Sequence, residues 1–271
     1  MSYVLEDEKE FERLEKQSQQ DAYSYEKELA SFHPKDFGTI FDAGCGSGVV
    51  SRHLARKYSN AKIIGSDFSP QRVAQAKEEA KGIANLQFQS ENLTGLSFEN
   101  SSFHAIVCRY VLEHMNPGDR SKAISELYRC LKPNGQICII DVDGFLFNLF
   151  PQTALMEEVF SRISTEKPFD LHVGRKLPVL LAQAGFQNIS YRMQAHCFQD
   201  KELTAEIEQM RARFELSRPF FNDFLGSEEK AATFINDYFE CLRSPQAVLF
   251  HNMFIVTAQK SAPILSEVKY E

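Results

Sequence analysis

The sequence predicts an α/β protein with a three-layer, Rossmann-like sheet that is mostly parallel, has an antiparallel last strand and carries a helical cap insertion. Strand-like and helix-like patterns alternate between residues 39 and 141, which is typical of a doubly wound sheet. The strands predicted at 39–42, 103–108 and 136–141 are nearly continuous apolar runs, as expected for parallel strands buried on both faces. A glycine-rich turn separates the first strand from the first helix of the core.

Composition limits the classes of protein and partner. The chain has 271 residues, 43% of them hydrophobic, and a net charge of -7, which fits one large domain or a domain with an insertion. The acidic balance argues against nucleic acid or an anionic membrane as partner. No apolar run of about 18 residues exists to span a bilayer, and no signal peptide is recognised. Six cysteines without a C-x-x-C pair indicate a reduced, cytoplasmic setting.

The elements follow in order along the chain. One or two helices are expected over 4–31, and then strands and helices alternate as strands 39–42, 61–67, 86–89, 103–108 and 136–141 with helices 49–58, 70–81 and 120–131. Ser69 and Pro70 are an N-cap and first-turn pair that starts the second of these helices. The later elements are predicted as helix 145–164, helix 174–184 closed by Gly185, strand 187–195, two or three helices within 200–243 and strand 247–259.

These elements suggest a domain organisation. Residues 1–38 form an N-terminal helical segment that packs on the edge of the core or covers the cofactor as a lid. Residues 39–199 and 246–260 form the core. Residues 200–245 form a helical cap insertion, because a minimal sheet of this kind needs only a short hairpin between its last two strands. If the protein transfers a group, this cap would lie over the site of the acceptor, the molecule that receives the group.

The turn from Asp42 to Gly48 indicates the type of cofactor. Glycine at alternate positions brings the backbone close to a ligand, and the helix N-terminus after it adds free N–H groups. A dinucleotide fold has a small residue where Val49 stands, and Asp42 before the turn would repel a pyrophosphate. A carboxylate attracts an ammonium group, and S-adenosylmethionine carries an ammonium and a sulfonium but no phosphate.

Residues 39–141 resemble the class I S-adenosylmethionine-dependent methyltransferases of the type 11/12, small-molecule group. The likeness rests on Asp42-x-Gly44-x-Gly46-x-Gly48, on an acid about 20 residues later (Asp67), and on the turn Leu131-Lys132-Pro133-Asn134-Gly135. It implies that S-adenosylmethionine is the cofactor. The residues that the resemblance assigns to cofactor binding are Asp42, Gly44, Cys45, Gly46, Gly48, Asp67, Phe68, Asn92, Leu93 and Arg109, with Tyr25 added if the N-terminal segment is a lid.

The resemblance also implies individual roles. Asp67 accepts hydrogen bonds from both ribose hydroxyls and Phe68 lies against the adenine. Asn92 stands where the family usually has an aspartate and accepts from the adenine amino group. Cys45 is most simply a small residue that fits the turn. With Gln17 and Tyr23, Tyr25 would be a lid contact.

No catalytic residue can be derived from the sequence, because the sulfonium already supplies the leaving group and a base is needed only for some acceptors. His114 and Tyr110 are candidates, followed by His172 and His196. Asp141 and Asp143 with His172 suggest a divalent metal, but they form no clear ligand triad, and no metal is expected. The phenylalanine-rich run 214–239 is core packing, acceptor pocket, or both.

The expected function is methyl transfer to a small, partly apolar acceptor by in-line displacement. The acceptor atom (O, N or C) is open, and so is the choice between monomer and homodimer. Two alternatives remain at this point. One is a protein methyltransferase, and the other is a non-catalytic S-adenosylmethionine-binding module whose cap serves as a dimer interface.

Overall fold

The computed structural model describes residues 8–166 and 170–262. Within these ranges an eight-stranded sheet has the order β3-β2-β1-β4-β5-β8-β6, with β7 paired to β8. The strands are β1 Gly38–Ala43, β2 Ala61–Asp67, β3 Leu86–Ser90, β4 Phe103–Arg109, β5 Leu131–Val142, β6 Leu149–Phe150, β7 Gln187–Phe198 and β8 Val248–Gln259. The pairs among β1 to β5 are parallel, whereas β8 runs antiparallel to β5, β6 and β7. The predicted mostly parallel sheet with an antiparallel last strand is confirmed.

The helices cover the sheet and one of its ends. They are α1 Glu8–Ser18, α2 Tyr25–Glu28, α3 Val49–Lys57, α4 Pro70–Glu79, α5 Pro117–Cys130, α6 Ala154–Glu166, α7 Leu177–Gln183, α8 Asp200–Leu225 and α9 Glu228–Arg243. The Ser69 hydroxyl accepts a hydrogen bond from the Arg72 N–H and Pro70 occupies the first turn of α4, as predicted. None of the described helices is both long and apolar enough to cross a bilayer.

Three segments differ from the sequence-based expectation. The strand predicted at 136–141 already begins at Leu131, where a turn was expected. The helix predicted at 145–164 begins only at Ala154, because the chain before it forms β6 and pairs with β8 at Leu249 and Val248. The helix predicted at 174–184 begins as a 3-10 turn at Gly174–Lys176 and becomes α-helical at Leu177. The predicted N-terminal segment 1–38 is described from residue 8 onwards, and residues 1–7 lie outside the described ranges.

The hydrophobic core has three parts, and the third determines the functional site. Two clusters fill the two faces of the sheet, around Phe41 and Ile139 on one face and Ile40 and Ile140 on the other. A third cluster lies beyond the carboxyl ends of β4 and β5, where it joins α6, α8 and α9 to the N-terminal segment. Because ligands of open α/β sheets bind outside the carboxyl ends of the strands, this third cluster places a wall of side chains beside the expected binding crevice.

Candidate active site

The glycine-rich turn leads from the end of β1 to the start of α3. Gly44, Gly46 and Gly48 have positive φ angles of 79°, 53° and 79°, which residues with a Cβ rarely adopt. The N–H groups of Gly44 and Cys45 donate to the Ser66 carbonyl at 2.8 and 2.7 Å, which ties the turn to the end of β2. Gly44, Cys45 and Gly46 line a cavity at this edge of the sheet.

Gly48 has a different role from the other two glycines. It does not line the cavity. A Cβ on Gly48 would stand 2.7 Å from Cζ of Phe88 and 3.1 Å from Cβ of Ala76. Gly48 therefore lets α3 begin close to its neighbours, and its predicted cofactor contact stays a prediction.

Asp42 forms the floor of the cavity beside the turn. It is 2% exposed and accepts a hydrogen bond from the Ser51 hydroxyl at 2.5 Å. Burial raises the pKa of Asp42 to about 6, so the carboxylate is ionised at neutral pH but is desolvated. An ammonium group in the cavity would supply the positive charge that this buried carboxylate lacks.

Asp67, at the end of β2, is held in one orientation by its neighbours. Its Oδ2 accepts from the Gly46 N–H at 3.0 Å and its Oδ1 accepts from the Ser69 N–H at 3.0 Å, with Nη1 of Arg72 at 3.5 Å from Oδ1. A carboxylate has about four lone-pair sites, so Asp67 retains capacity for two further donors. Two vicinal hydroxyls match that capacity.

The next part of the wall suits a flat heterocycle. Phe68 follows Asp67 and is 53% exposed at the cavity, so its ring is available for stacking. Leu93 is buried and lines the same region. Asn92 also lines the cavity, although its Oδ1 already accepts from the N–H and the hydroxyl of Thr94 at 3.0 and 2.8 Å.

The N-terminal helix α1 lies across the glycine turn. Arg13, Leu14 and Gln17 line the cavity, and Cδ1 of Leu14 is 3.2 Å from the position of a Cβ on Gly46. Glu15 anchors α1 to α3 by accepting from Nη2 of Arg52 at 2.7 and 2.9 Å. The turn is therefore covered by a separate helix and is not open to bulk solvent on that side.

A buried ion pair holds the segment after α1 against the end of β4. Arg109 donates from Nε to Glu28 at 2.5 Å and from Nη2 to the Tyr23 carbonyl at 2.9 Å. The Tyr110 hydroxyl donates to the same Glu28 carboxylate at 2.7 Å. The Glu28 side chain is fully buried, so this cluster fixes Arg109, Tyr110 and Tyr23 at the cavity wall.

The cavity continues from the turn to an aromatic wall. Its volume is about 390 Å³, within the range typical of small-molecule sites. Phe145 comes from the loop after β5, and Arg213, Ser217, Phe220 and Phe221 come from α8. One cavity thus joins a polar end beside Asp42 and Asp67 to an apolar end beneath α8.

Comparison with known proteins agrees with this geometry. A family model described as "Methyltransferase domain" matches residues 40–135. The ubiquinone/menaquinone biosynthesis C-methyltransferase of Desulfotalea psychrophila is 30% identical over 170 residues, which are 57% of this chain and 68% of the relative. The chain belongs to the class I S-adenosylmethionine-dependent methyltransferases. A demethylmenaquinone methyltransferase of Lactococcus lactis is 28% identical over 174 residues, with the same coverage of both chains, 57% and 68%.

Solved structures share the fold of this methyltransferase. The YcgJ protein of Bacillus subtilis superposes with a TM-score of 0.58 at 17% identity, covering 86% of this chain and 96% of that one. The phosphoethanolamine N-methyltransferase 2 of Haemonchus contortus, in complex with S-adenosyl-L-methionine, gives a TM-score of 0.55 at 20% identity. The match covers 89% of this chain and 54% of the Haemonchus enzyme. At these identities the likeness shows the fold alone.

The cavity of the methyltransferase includes most of the residues predicted to bind the cofactor. Those that line it are Asp42, Gly44, Cys45, Gly46, Asp67, Phe68, Asn92, Leu93 and Arg109. Tyr25 does not line it, because its ring packs against His53 with 4.9 Å between centroids. The other two predicted lid contacts, Gln17 and Tyr23, do line the cavity.

The candidate catalytic side chains of the methyltransferase are poor bases. His114 lines the cavity, but burial, reinforced by Arg72, Arg13 and Arg213, lowers its pKa to about 3. Burial, followed by the charge of Glu28, raises the pKa of Tyr110 well above its ordinary value. The hydroxyl of Tyr110 is also engaged, since it donates to Glu28. Neither side chain is therefore suited to removing a proton from an acceptor at neutral pH.

The remaining residues considered for catalysis or metal binding lie outside the cavity. His172 and His196 do not line the cavity. Oδ2 of Asp141 accepts hydrogen bonds from the backbone N–H groups of Leu112 and Glu113 at 2.9 and 3.3 Å. Oδ1 of Asp143 accepts a hydrogen bond from Nε of Arg175 at 2.6 Å. Among residues 8–166 and 170–262, no three His, Cys, Asp or Glu side chains are grouped closely enough to hold a metal ion.

Cys45 has the chemistry of an inert thiol. Burial, followed by the charges of Asp42 and Asp67, raises its pKa well above the ordinary value. The thiol therefore stays protonated at neutral pH and is not an activated nucleophile. This agrees with its reading as a small residue that fits the turn.

Sequence reasoning missed several cavity residues of the methyltransferase. Arg13 and Leu14 lie on a largely polar helix. The few apolar residues of that helix indicate which face is buried, but they do not indicate that this face borders a cavity. Glu113 is 8% exposed, and burial, reinforced by Asp141, raises its pKa to about 8. Arg213 is one of the many charged residues of α8. It can be associated with the cavity only because it lies seven residues before Phe220 and therefore on the same face of the helix.

Proposed function

We propose that this methyltransferase transfers a methyl group from S-adenosylmethionine to a small, partly apolar acceptor held beneath α8. The observation that carries the proposal is the single cavity that runs from Asp42 and Asp67 to the ring of Phe221. Cofactor and acceptor can then occupy one enclosed space, which is the requirement for in-line transfer. A macromolecular acceptor would need an open groove, whereas α1 and α8 both contribute to this wall.

The residues at the polar end fit the cofactor. Asp67 would accept from the ribose hydroxyls, Asp42 would face the ammonium group, and Phe68 would lie against the adenine. Gly44 and Gly46 present backbone at the cavity where a Cβ would meet Val111 at 2.3 Å and Leu14 at 3.2 Å, respectively. These carboxylates and this bare backbone suit a cationic nucleoside.

When bound, the cofactor would supply an electrophilic methyl carbon together with a leaving group, its sulfur, which would keep the electron pair of the broken bond. The chain contributes alignment and exclusion of water. Leu14 covers the turn, and Phe145, Phe220 and Phe221 form an apolar wall that fixes the acceptor and keeps solvent away from it. With His114 and Tyr110 poorly basic, we infer that no side chain of the chain needs to act as a strong base.

The test is calorimetry with S-adenosylhomocysteine on the wild type, Asp67→Ala and Asp67→Asn. Loss of two hydrogen bonds to a charged group should weaken binding roughly 30-fold or more in Asp67→Ala. Asp36→Ala is the control, because Asp36 is an exposed acid outside the cavity. Thermal unfolding of each variant checks that the turn still folds without the bonds that Asp67 makes to Gly46 and Ser69.

Equal affinity of wild type and both Asp67 variants for S-adenosylhomocysteine would overturn the assignment of the cofactor site. A screen with S-adenosylmethionine labelled on the methyl group then tests the acceptor class. Label is expected in the small-molecule fraction of an extract. Label confined to protein would contradict the proposed acceptor.

A further inference from the structure

Arg213 is a nearly buried cation at the apolar end of the cavity. Its side chain is 14% exposed and lines the cavity beside Phe220 and Phe221. The guanidinium carbon lies 4.5 Å from the centroid of the Phe145 ring. Arg213 is therefore held against the aromatic wall and does not extend into solvent.

The guanidinium of Arg213 has weak or distant acceptors in the protein. It lies close enough to the Tyr23 hydroxyl to oppose the rise in the pKa of Tyr23 that burial causes. Nη1 of Arg213 is 3.1 Å from the sulfur of Met210, a weak acceptor. The nearest carboxylate oxygen among the described residues is Oε1 of Glu206, at 4.0 Å. That oxygen already accepts from the Tyr23 hydroxyl at 2.9 Å.

Other buried arginines of the same chain show the difference. Arg109 makes two bonds to Glu28 and one to a carbonyl. Arg120 donates to Asp170 at 2.7 Å and to the carbonyls of Leu112 and Met115. A guanidinium has five N–H donors, and burying it without acceptors is costly. Arg213 thus differs from Arg109 and Arg120, whose guanidinium groups donate to carboxylate and carbonyl oxygens.

The acids around Arg213 supply it with little negative charge. A second guanidinium, that of Arg13, lines the cavity from α1. Glu113, an acid of the lining that the charge of Arg213 influences, has its pKa raised to about 8 by burial and by Asp141, so it carries little charge at neutral pH. Glu206 is fully buried, and burial raises its pKa as well. Asp42 and Asp67 belong to the cofactor end.

We propose that the acceptor is an organic acid whose carboxylate pairs with the guanidinium of Arg213 while its apolar body lies against Phe145, Phe220 and Phe221. The inference rests on the proposed function and specifies its substrate class. A planar carboxylate matches the fork of a guanidinium through two parallel hydrogen bonds. The aromatic rings beside the guanidinium would pack against the apolar body of the organic acid.

The experiment uses the full chain saturated with S-adenosylhomocysteine and three probes of similar size: 3-phenylpropanoate, 3-phenylpropanamide and phenethyl phosphate. Calorimetry measures the affinity of each probe for the wild type, Arg213→Gln and Arg211→Gln. Arg211 is the matched control, because it lies on the same helix but is exposed, stacks on Phe239 and does not line the cavity.

In the wild type the carboxylate should bind at least 10-fold more tightly than the amide, the value of one hydrogen bond between charged partners. Arg213→Gln should remove this preference and leave the affinity for the amide within about threefold. Arg211→Gln should behave as the wild type. Equal binding of carboxylate and amide to the wild type, or retention of the preference in Arg213→Gln, would overturn the inference.

Two further outcomes also decide against it. Tighter binding of the phosphate than of the carboxylate would show an anion site of a different class. Absence of binding of all three probes would show that the end beneath α8 does not receive an apolar anion. Failure of the wild type to bind S-adenosylhomocysteine would refute the proposed function itself, whereas unchanged S-adenosylhomocysteine affinity in Arg213→Gln separates acceptor recognition from cofactor binding.

Discussion

Substitution of Gly48 by alanine should destabilise the protein for two separable reasons. The first is conformational, since Gly48 has φ of +79° and a residue with a Cβ loses about 1–2 kcal/mol in the left-handed region. The second is steric, since the new Cβ would stand 2.7 Å from Cζ and 2.9 Å from Cε1 of Phe88. Overpacking of a well-packed core costs about 1–3 kcal/mol. The expected loss for Gly48→Ala is therefore about 2–5 kcal/mol.

Two other glycines separate these contributions. Gly82 has φ of +87° and no atom within 4 Å of its Cβ position, so Gly82→Ala should cost only the conformational part, about 1–2 kcal/mol. Gly65 lacks the positive φ, but its Cβ would meet both Phe88 and Ser51 at 2.6 Å. Gly65→Ala should therefore cost only the steric part, about 1–3 kcal/mol.

Urea unfolding of the three variants gives the free energies directly, and the midpoint temperature of Gly48→Ala should fall by roughly 5–15 °C. If Gly48→Ala is no less stable than Gly82→Ala, then Phe88 moves aside without cost and the packing role of Gly48 is refuted. The reasoning is also refuted if Gly65→Ala is neutral.

Further predictions concern buried charges. Because burial raises the pKa of Asp42 to about 6, S-adenosylhomocysteine should bind roughly 10-fold more weakly at pH 5 than at pH 8, since the protonated acid cannot pair with the ammonium group. In Asp42→Asn, calorimetry should find weak binding with little dependence between these pH values, and a persistent drop would assign the titration to another group. Arg109→Met leaves the carboxylate of Glu28 buried without its cation, and we expect a loss of about 3–5 kcal/mol in urea unfolding. The double variant with Glu28→Gln should recover part of it, and a double variant no more stable than the single one would show that the ion pair is not the cause.

The sheet and the cofactor end of the site could be predicted because their signals are local. Apolar runs mark strands buried on both faces, and the turn from Asp42 to Gly48 marks its own geometry. Asp67 follows from its distance along the chain to that turn. Each of these features is determined by residues close in sequence, so a pattern is sufficient to recognise it.

The acceptor end could not be predicted in the same way. Arg213 reaches the cavity only because α8 packs against the loop that carries Phe145, and no local pattern records that pairing. Tyr23 and Tyr25 are equally plausible in sequence, and the short 3-10 helix Asp21–Tyr23 decides which ring faces the cavity. The sequence predicts helix at β6, because Leu149 pairs with Leu249, which is 100 residues away in the chain.

The pairing of β7 with β8 has a consequence for how far the segment between these strands can vary in length. Phe198 and Leu249 are partners in register, so the segment that contains α8 and α9 leaves and re-enters the sheet at adjacent points. A segment whose ends are held together can be lengthened, shortened or exchanged at small entropic cost to the rest of the chain. A change in the length of the segment that contains α8 and α9 should therefore leave the sheet and the turn that begins at Asp42 in place.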